Sequence, residues 1–100
     1  MKKTLFILSL ILTYNTALMA DGKALYRNCT GCHGDNGKIK AFHSSKAIAG
    51  QSSAKTIKQL NAYKKGQLNQ YGLGNIMKMQ AATLSKSDIK ALASYIETLK

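Results

Sequence analysis

Apolar residues near the C-terminus recur at intervals of three and four, at Ile89, Leu92, Ala93, Ile96 and Leu99. This spacing places them on one stripe of an amphipathic helix, which we predict to span about residues 86–99. Ser85 and Asp88 precede the stripe as a variant of the capping box, because the serine can accept a hydrogen bond from a first-turn amide. The segment therefore predicts a well-defined C-terminal helix that packs through one face.

Two further helices are predicted upstream, and glycine-containing loops separate the helices. One spans residues 53–65, with Gly66 as its C-terminal stop. Its apolar side is formed by Ala54, Ile57, Leu60 and Tyr63. The other starts near Asp21 and runs into Cys29. The intervening loops cover residues 31–50 and 66–84. Neither loop alternates apolar and polar residues as a strand does, so the fold is predicted to be all-α.

Residues 1–20 have the order of a secretory signal peptide. Lys2 and Lys3 are followed by an apolar run over residues 5–12 and by a more polar stretch that ends at Ala20. We expect cleavage after Ala20, which leaves residues 21–100 as one small domain in the bacterial periplasm. An uncleaved membrane anchor is the alternative, but the apolar run falls well short of the ~20 residues that cross a bilayer.

The domain that remains is strongly basic. Without residues 1–20 it keeps thirteen lysine and arginine residues against four acidic ones, a net charge of +9. This excess favours anionic partners, namely nucleic acid, an anionic membrane surface or an acidic protein face. Export and the scattered placement of the lysines argue against nucleic acid, and we expect at most transient contact with a membrane surface. A domain this small buries only a modest apolar core, so we expect a cofactor, a metal or a disulfide to stabilise it further.

The two cysteines of the chain lie in the segment Cys29-Thr30-Gly31-Cys32-His33. Its C-x-x-C-H spacing is typical of covalent haem attachment. Each thiol can add to one vinyl group of the haem, and the two intervening residues set the cysteines about one helical turn apart. The adjacent histidine is thereby brought to the iron. Cys29 and Cys32 are therefore predicted as thioether links to one haem c, and His33 as an axial ligand of its iron.

Three other uses of these cysteines are open from the motif alone. A disulfide or thioredoxin-like redox site also uses C-x-x-C, but such sites occur on a βαβ scaffold that the pattern does not predict. A zinc site needs four nitrogen or sulfur ligands, and the chain offers Cys29, Cys32, His33 and His43. The third is a structural cysteine pair that a histidine follows by chance.

The stretch from Cys29 to Gly37, CTGCHGDNG, resembles the attachment segment of the class I cytochromes c, especially the small bacterial c-553 type. The stretch from Leu84 to Ile96 is similar to the C-terminal helix of that family, so the likeness covers nearly the whole predicted domain. The resemblance implies a cytochrome c fold, with three main helices around one covalently bound haem and the first and last helices crossing. It also implies a methionine of the second long loop as the other axial ligand.

Met77 is the methionine that the resemblance favours. In the family pattern the ligand shortly precedes the Leu-Ser that opens the last helix, and Met77 lies seven residues before Leu84. Met79 of the same loop is expected to be an apolar filler. His43 is the competing sixth ligand, and an exposed loop histidine is its more ordinary interpretation. A thioether raises the reduction potential relative to a second imidazole, which suits an electron carrier.

The chain departs from the family pattern in having no proline. Family members often place one after the attachment segment, where its carbonyl accepts the N–H of the proximal histidine, and another shortly before the methionine. We expect the acceptor for His33 near residues 47–50 instead, because such bonds orient the ring. Glycines replace the second proline, so a more mobile loop is expected at Met77. Tyr71 and Asn75 are candidates to bond a propionate or the methionine sulfur, with solvent-facing loop positions as the alternative.

These features predict a monohaem electron carrier in the periplasm, a monomer and not an enzyme. Its expected partners are acidic faces of redox proteins, namely quinol:cytochrome c reductase and a cytochrome c oxidase or peroxidase. The lysines expected to steer it to those faces are Lys38, Lys40, Lys64, Lys65 and Lys78. A haem-based ligand sensor or peroxidase-like enzyme with a displaceable methionine is the alternative from another class. A haem subunit held permanently in a larger complex is the third.

Overall fold

The computed structural model of the protein describes residues 20–100, so the signal peptide predicted for residues 1–20 lies outside them apart from Ala20. Within this range the chain forms α-helices and one 3-10 turn, with no strand. The helices are α1 (Gly22–Tyr26), α2 (Thr30–His33), α3 (Ser53–Lys64), α4 (Gly74–Ala81) and α5 (Lys86–Thr98), and the 3-10 turn is Ala41–His43. The all-α prediction is confirmed. No helix of the described range is long and apolar enough to cross a membrane.

Helix α5 matches the C-terminal helix predicted from the apolar stripe. Its first turn is closed by the predicted capping box, in which the Ser85 hydroxyl accepts from the Asp88 amide at 3.1 Å and the Asp88 carboxylate accepts from the Ser85 amide at 2.9 Å. The stripe residues within the helix are all buried. Leu99 is half-buried and lies just past the last helical residue.

Helix α3 also matches its prediction and is tied to α5 at its start. The Ser52 hydroxyl caps it, and the amide of Ser53 donates to the carboxylate of Glu97 at 3.0 Å. Gly66 follows the helix with a φ of +73°, a left-handed conformation that glycine adopts without strain. The buried side of α3 includes Thr56, a polar residue that the hydrophobic pattern did not place in the core.

The prediction of one continuous first helix that runs into Cys29 is wrong, because the chain forms two short helices there. After α1 the backbone tightens into a turn, in which the amide of Asn28 donates to Leu25 at 3.3 Å and that of Cys29 donates to Tyr26 at 2.8 Å. These bonds join residues three apart, whereas an α-helix joins residues four apart. The turn separates α1 from the attachment segment, which starts a new helix at Thr30.

The prediction of an irregular loop over residues 66–84 is also wrong, because α4 occupies its middle. The amide of Gly74 at the start of α4 donates to the Asn69 side chain at 2.8 Å, and a side chain at Gly74 would clash with the carbonyl oxygen of Leu68. Met77 therefore lies inside a helix whose start is anchored, and not in an irregular loop.

The core lies where α1, α3 and α5 meet. Its buried residues are Tyr26, Leu60, Ile89, Leu92 and Ile96. Helix α1 packs against α5, and the backbones approach so closely that a Cβ atom at Gly22 would clash with the carbonyl oxygen of Ala91. Helices α3 and α4 complete the packing, since α4 contacts α3 and α3 contacts α5. Residues of both α2 and α4 line a cavity beside this core.

Candidate cofactor site

A cavity of about 370 Å³ lies between α2, the 3-10 turn, α3 and α4. Cys29, Cys32 and His33 line it, and Met77 lines it from α4. The structure thus brings together all four residues that the sequence predicted for the site. Met77 also packs against the core, together with Cys29, so the site is continuous with the buried interior.

The attachment segment forms a single helical turn. The amide of His33 donates to the Cys29 carbonyl at 3.0 Å, and the amide of Gly34 donates to the Thr30 carbonyl at 2.8 Å. Cys29 is half-buried, Cys32 is exposed, and no disulfide joins them. The buried hydroxyl of Tyr26 donates to the carbonyl of Gly34 at 2.7 Å and so ties the end of this turn to α1.

Burial shifts the pKa values of Cys29 and His33 in the segment. It raises the pKa of the Cys29 thiol, and the nearby charge of Cys32 acts in the same direction. Burial lowers the pKa of His33, which is 9% exposed. The histidine is therefore held as a neutral imidazole, the form that binds a metal ion.

The buried Nδ1 atom of His33 has no hydrogen-bond partner among residues 20–100. The acceptor expected from residues 47–50 is not found, and the Ile48 carbonyl instead accepts from the amide of Gln51 at 3.1 Å. The amides of Ile48 and Ala49 both donate to the carbonyl of Gly37, at 2.8 and 2.9 Å. An unpaired buried polar atom costs free energy, and native proteins retain such atoms chiefly at functional sites.

Met77 and Met79, which were predicted to lie in one loop, both lie in α4 but have different surroundings. Two residues along an α-helix correspond to a rotation of about 200°, so Met77 and Met79 point to opposite sides of α4. Met77 is half-buried and lines the cavity, whereas Met79 is 76% exposed and does not. The expectation that Met79 packs as an apolar filler is therefore wrong. His43 is exposed in the 3-10 turn and does not line the cavity.

The rim of the cavity carries exposed apolar and basic side chains that the sequence did not single out. Phe42 is 57% exposed and Ile76 is 40% exposed, and both line the cavity. Lys46 and Lys55 line it as well. Phe42 and Ile76 line the cavity and are not part of a periodic apolar stripe, so the hydrophobic pattern of the sequence did not identify them. The cavity lining thus includes both exposed apolar and positively charged side chains.

Two further sets of predicted residues can be located in the structure: the lysines expected to steer the protein to its partners, and the residues expected to bond the cofactor. The five predicted steering lysines are exposed, and the ammonium group of Lys64 donates to the carbonyl of Leu84. Tyr71 is half-buried and lines the cavity, whereas Asn75 is exposed and does not. Tyr71 alone of these two remains a candidate to contact a cofactor.

The donor set of the cavity fits a haem. Two thiols, one neutral imidazole and one thioether line it, and an imidazole with a thioether is an axial ligand pair of haem iron. Leu60, Leu73, Leu92 and Ile96 give it an apolar lining suited to a macrocycle. Among residues 20–100, no three His, Cys, Asp or Glu side chains come together to hold a metal ion, which is the cluster a zinc site would need.

Comparisons with known proteins agree with this chemistry. The family model described as Cytochrome c matches residues 19–100. Cytochrome c-553 of Helicobacter pylori is 40% identical over 100 residues, which cover 100% of each chain. Cytochrome c-553 of Nitratidesulfovibrio vulgaris is 33% identical over 105 residues, which cover 99% of this chain and 100% of that protein.

A solved structure extends the likeness to the fold. The crystal structure of reduced recombinant cytochrome c4 from Pseudomonas stutzeri superposes with a TM-score of 0.71 at 36% identity. The superposition covers 82% of this chain and 51% of that one, so the chain corresponds to about half of the larger cytochrome. The chain therefore belongs to the cytochrome c family, as a class I electron carrier of the c-553 type that binds covalently attached haem c.

Proposed function

We propose that the protein is a periplasmic monohaem carrier in which Cys29 and Cys32 form the thioether links and His33 and Met77 are the axial ligands. The observation that carries this proposal is the convergence of these four side chains on one cavity from two separate helices. When bound, the haem supplies the one-electron chemistry. The chain contributes the attachment, the two ligands and an apolar enclosure that limits contact with water.

The choice of a carrier over a ligand sensor is supported by how Met77 is held. A sensor or peroxidase-like enzyme requires that this ligand leave the iron easily. Met77 instead lies within α4, whose start is anchored by the bond from Gly74 to Asn69 and whose side packs on α3. These contacts hold the backbone at Met77 in place.

Ligation is tested with Met77→Ala and, as its matched control, Met79→Ala. We expect a pyridine haemochrome assay to give one covalent haem per chain in the wild-type protein and in both variants. The oxidised wild-type protein and Met79→Ala should show the weak far-red absorption band of iron–thioether ligation, and Met77→Ala should lack it. Retention of the band in Met77→Ala would show that another residue is the ligand.

Binding of carbon monoxide distinguishes an electron carrier from a ligand sensor. The reduced wild-type protein should resist the gas at neutral pH, and Met77→Ala should bind it rapidly because its iron site is open. Rapid binding to the wild-type protein would support the sensor or peroxidase-like alternative and contradict the carrier.

The proposed partners are acidic faces of quinol:cytochrome c reductase and of an oxidase or peroxidase, reached after export directed by residues 1–20. The rim supports this choice, because Lys46 and Lys55 line the same cavity as the exposed apolar residues Phe42 and Ile76. Such an arrangement combines electrostatic steering with an apolar contact at the edge through which an electron would pass. The carrier acts as a monomer that docks transiently.

Docking is tested by the rate at which an isolated quinol-oxidising complex reduces the protein. The rate should fall steeply as ionic strength rises, since salt screens exposed charges. Lys46→Gln should lower the rate at low salt more than Lys90→Gln, which removes the same charge from the exposed side of α5, away from the cavity. A rate independent of salt, or equal effects of the two substitutions, would refute steering through the rim.

A further inference from the structure

The face that α3 presents to the cavity changes from polar to apolar along the helix. Lys55, Thr56 and Gln59 line the cavity from the first seven residues of the helix, and Leu60 lines it from the next position. Gln51, just before the helix, lines it beside them. We call Gln51, Lys55, Thr56 and Gln59 the polar wall. An entirely apolar ligand would not require these polar groups on its enclosure.

The hydrogen bonds within the polar wall leave two of its side-chain donors without an acceptor. The side-chain amide of Gln51 donates to the Thr56 hydroxyl oxygen at 2.8 Å and to the side-chain oxygen of Gln59 at 2.7 Å, which uses both of its hydrogens. The Thr56 hydroxyl and the Gln59 amide donate to no acceptor among residues 20–100. Thr56 is only 4% exposed, so water has little access to it. A buried hydroxyl normally donates its hydrogen.

The charged residues that line the cavity favour an anionic group beside these donors. No aspartate or glutamate of residues 20–100 lines the cavity, whereas Lys46 and Lys55 do. A carboxylate placed among donors and an ammonium group is satisfied by charge-assisted hydrogen bonds, whereas an unpaired one would be costly to bury. The haem that the site fits is an apolar ring that carries carboxylates on its propionate side chains.

We propose that the polar wall binds a propionate carboxylate of the haem, with Thr56 and Gln59 as donors, Lys55 as the counter-charge and Gln51 as the group that positions the two donors. The inference rests on the proposed function, because it takes the haem to occupy the cavity. It orients the macrocycle, since the carboxylate end faces the start of α3. It also places a positive charge beside the haem, which disfavours the oxidised state.

Redox-induced infrared difference spectra of the holoprotein test the hydrogen bonds, with haem carrying carbon-13 in the propionate carboxyl groups. The isotope-sensitive band of the wild-type protein should change frequency in Thr56→Val and stay in place in Thr56→Ser, which keeps the hydroxyl. Thr98→Val is the matched control, because the hydroxyl of Thr98 donates to Tyr95 on α5 and does not line the cavity. An unchanged band in Thr56→Val would overturn the proposal.

Two further variants keep the test decisive if Thr56→Val does not fold. Gln59→Met removes the other donor at similar length and should shift the same band. Lys55→Gln should lower the reduction potential more than Lys58→Gln, which removes an equal charge from α3 at a position that does not line the cavity. Equal potential shifts would contradict the counter-charge assignment. A wild-type chain that purifies without covalent haem would instead refute the proposed function itself.

Discussion

Removal of the Tyr26 hydroxyl is expected to destabilise the protein by about 1–3 kcal/mol, the cost of leaving a buried carbonyl without its donor. Tyr26 is 2% exposed, and its hydroxyl donates to the carbonyl of Gly34 at 2.7 Å. Tyr26→Phe keeps the ring in the core and deletes only this bond. Since Gly34 directly follows His33, the bond also fixes the end of the attachment segment.

The same hydroxyl makes a prediction about alkaline pH. Burial is the main cause that raises the pKa of Tyr26 from 10.0 to about 12. Because the unfolded chain loses the proton first, the contribution of Tyr26 is complete below pH 10 and is lost as the pH rises towards 12. This difference in pKa corresponds to roughly 3 kcal/mol of stability lost at alkaline pH, and it arises mainly from burial of the hydroxyl and not from the bond to Gly34.

Urea denaturation of the oxidised holoprotein, followed by far-ultraviolet circular dichroism, measures both effects. Tyr95→Phe is the matched control, because its ring packs on that of Tyr26 with centroids 5.5 Å apart while its hydroxyl bonds to no residue of the described range. Equal stabilities of the two variants at neutral pH would refute the role of the bond to Gly34. A gap between wild type and Tyr26→Phe that stays constant above pH 10 would refute the role of burial.

Thermal unfolding of the holoprotein checks three further predictions. Gly22→Ala should cost more than about 2 kcal/mol because its Cβ would clash with the Ala91 carbonyl, and an unchanged melting temperature would contradict the close crossing. His43→Gly should add about 0.5–1 kcal/mol by relieving a φ of +60° and leave the haem spectrum unchanged, and a changed spectrum would place His43 at the iron. Asp88→Ala should cost about 1 kcal/mol through loss of the capping box, and an unchanged melting temperature would show that the box contributes nothing.

The long helices could be predicted because their signals are local. The apolar stripe of α5 and its capping box lie within fifteen residues of one another, and Gly66 marks the end of α3 by a conformation that favours glycine. Helix α4 has no such stripe. Ile76 and Met77 line the cavity, Met79 faces solvent and Ala81 is buried, so its apolar residues do not form one periodic face.

The amino-acid sequence by itself determined the chemistry of the site, since two thiols and an imidazole within five residues point to haem attachment whatever the surrounding fold. It also determined the helices whose caps and periodicity are contained in their own residues. Only the tertiary structure decided that Met77 and not Met79 faces the cavity and that Thr56 and Gln59 stand beside it. Those outcomes depend on which side of a helix is covered by elements distant in the chain, and burial of this kind is a property of the packed molecule.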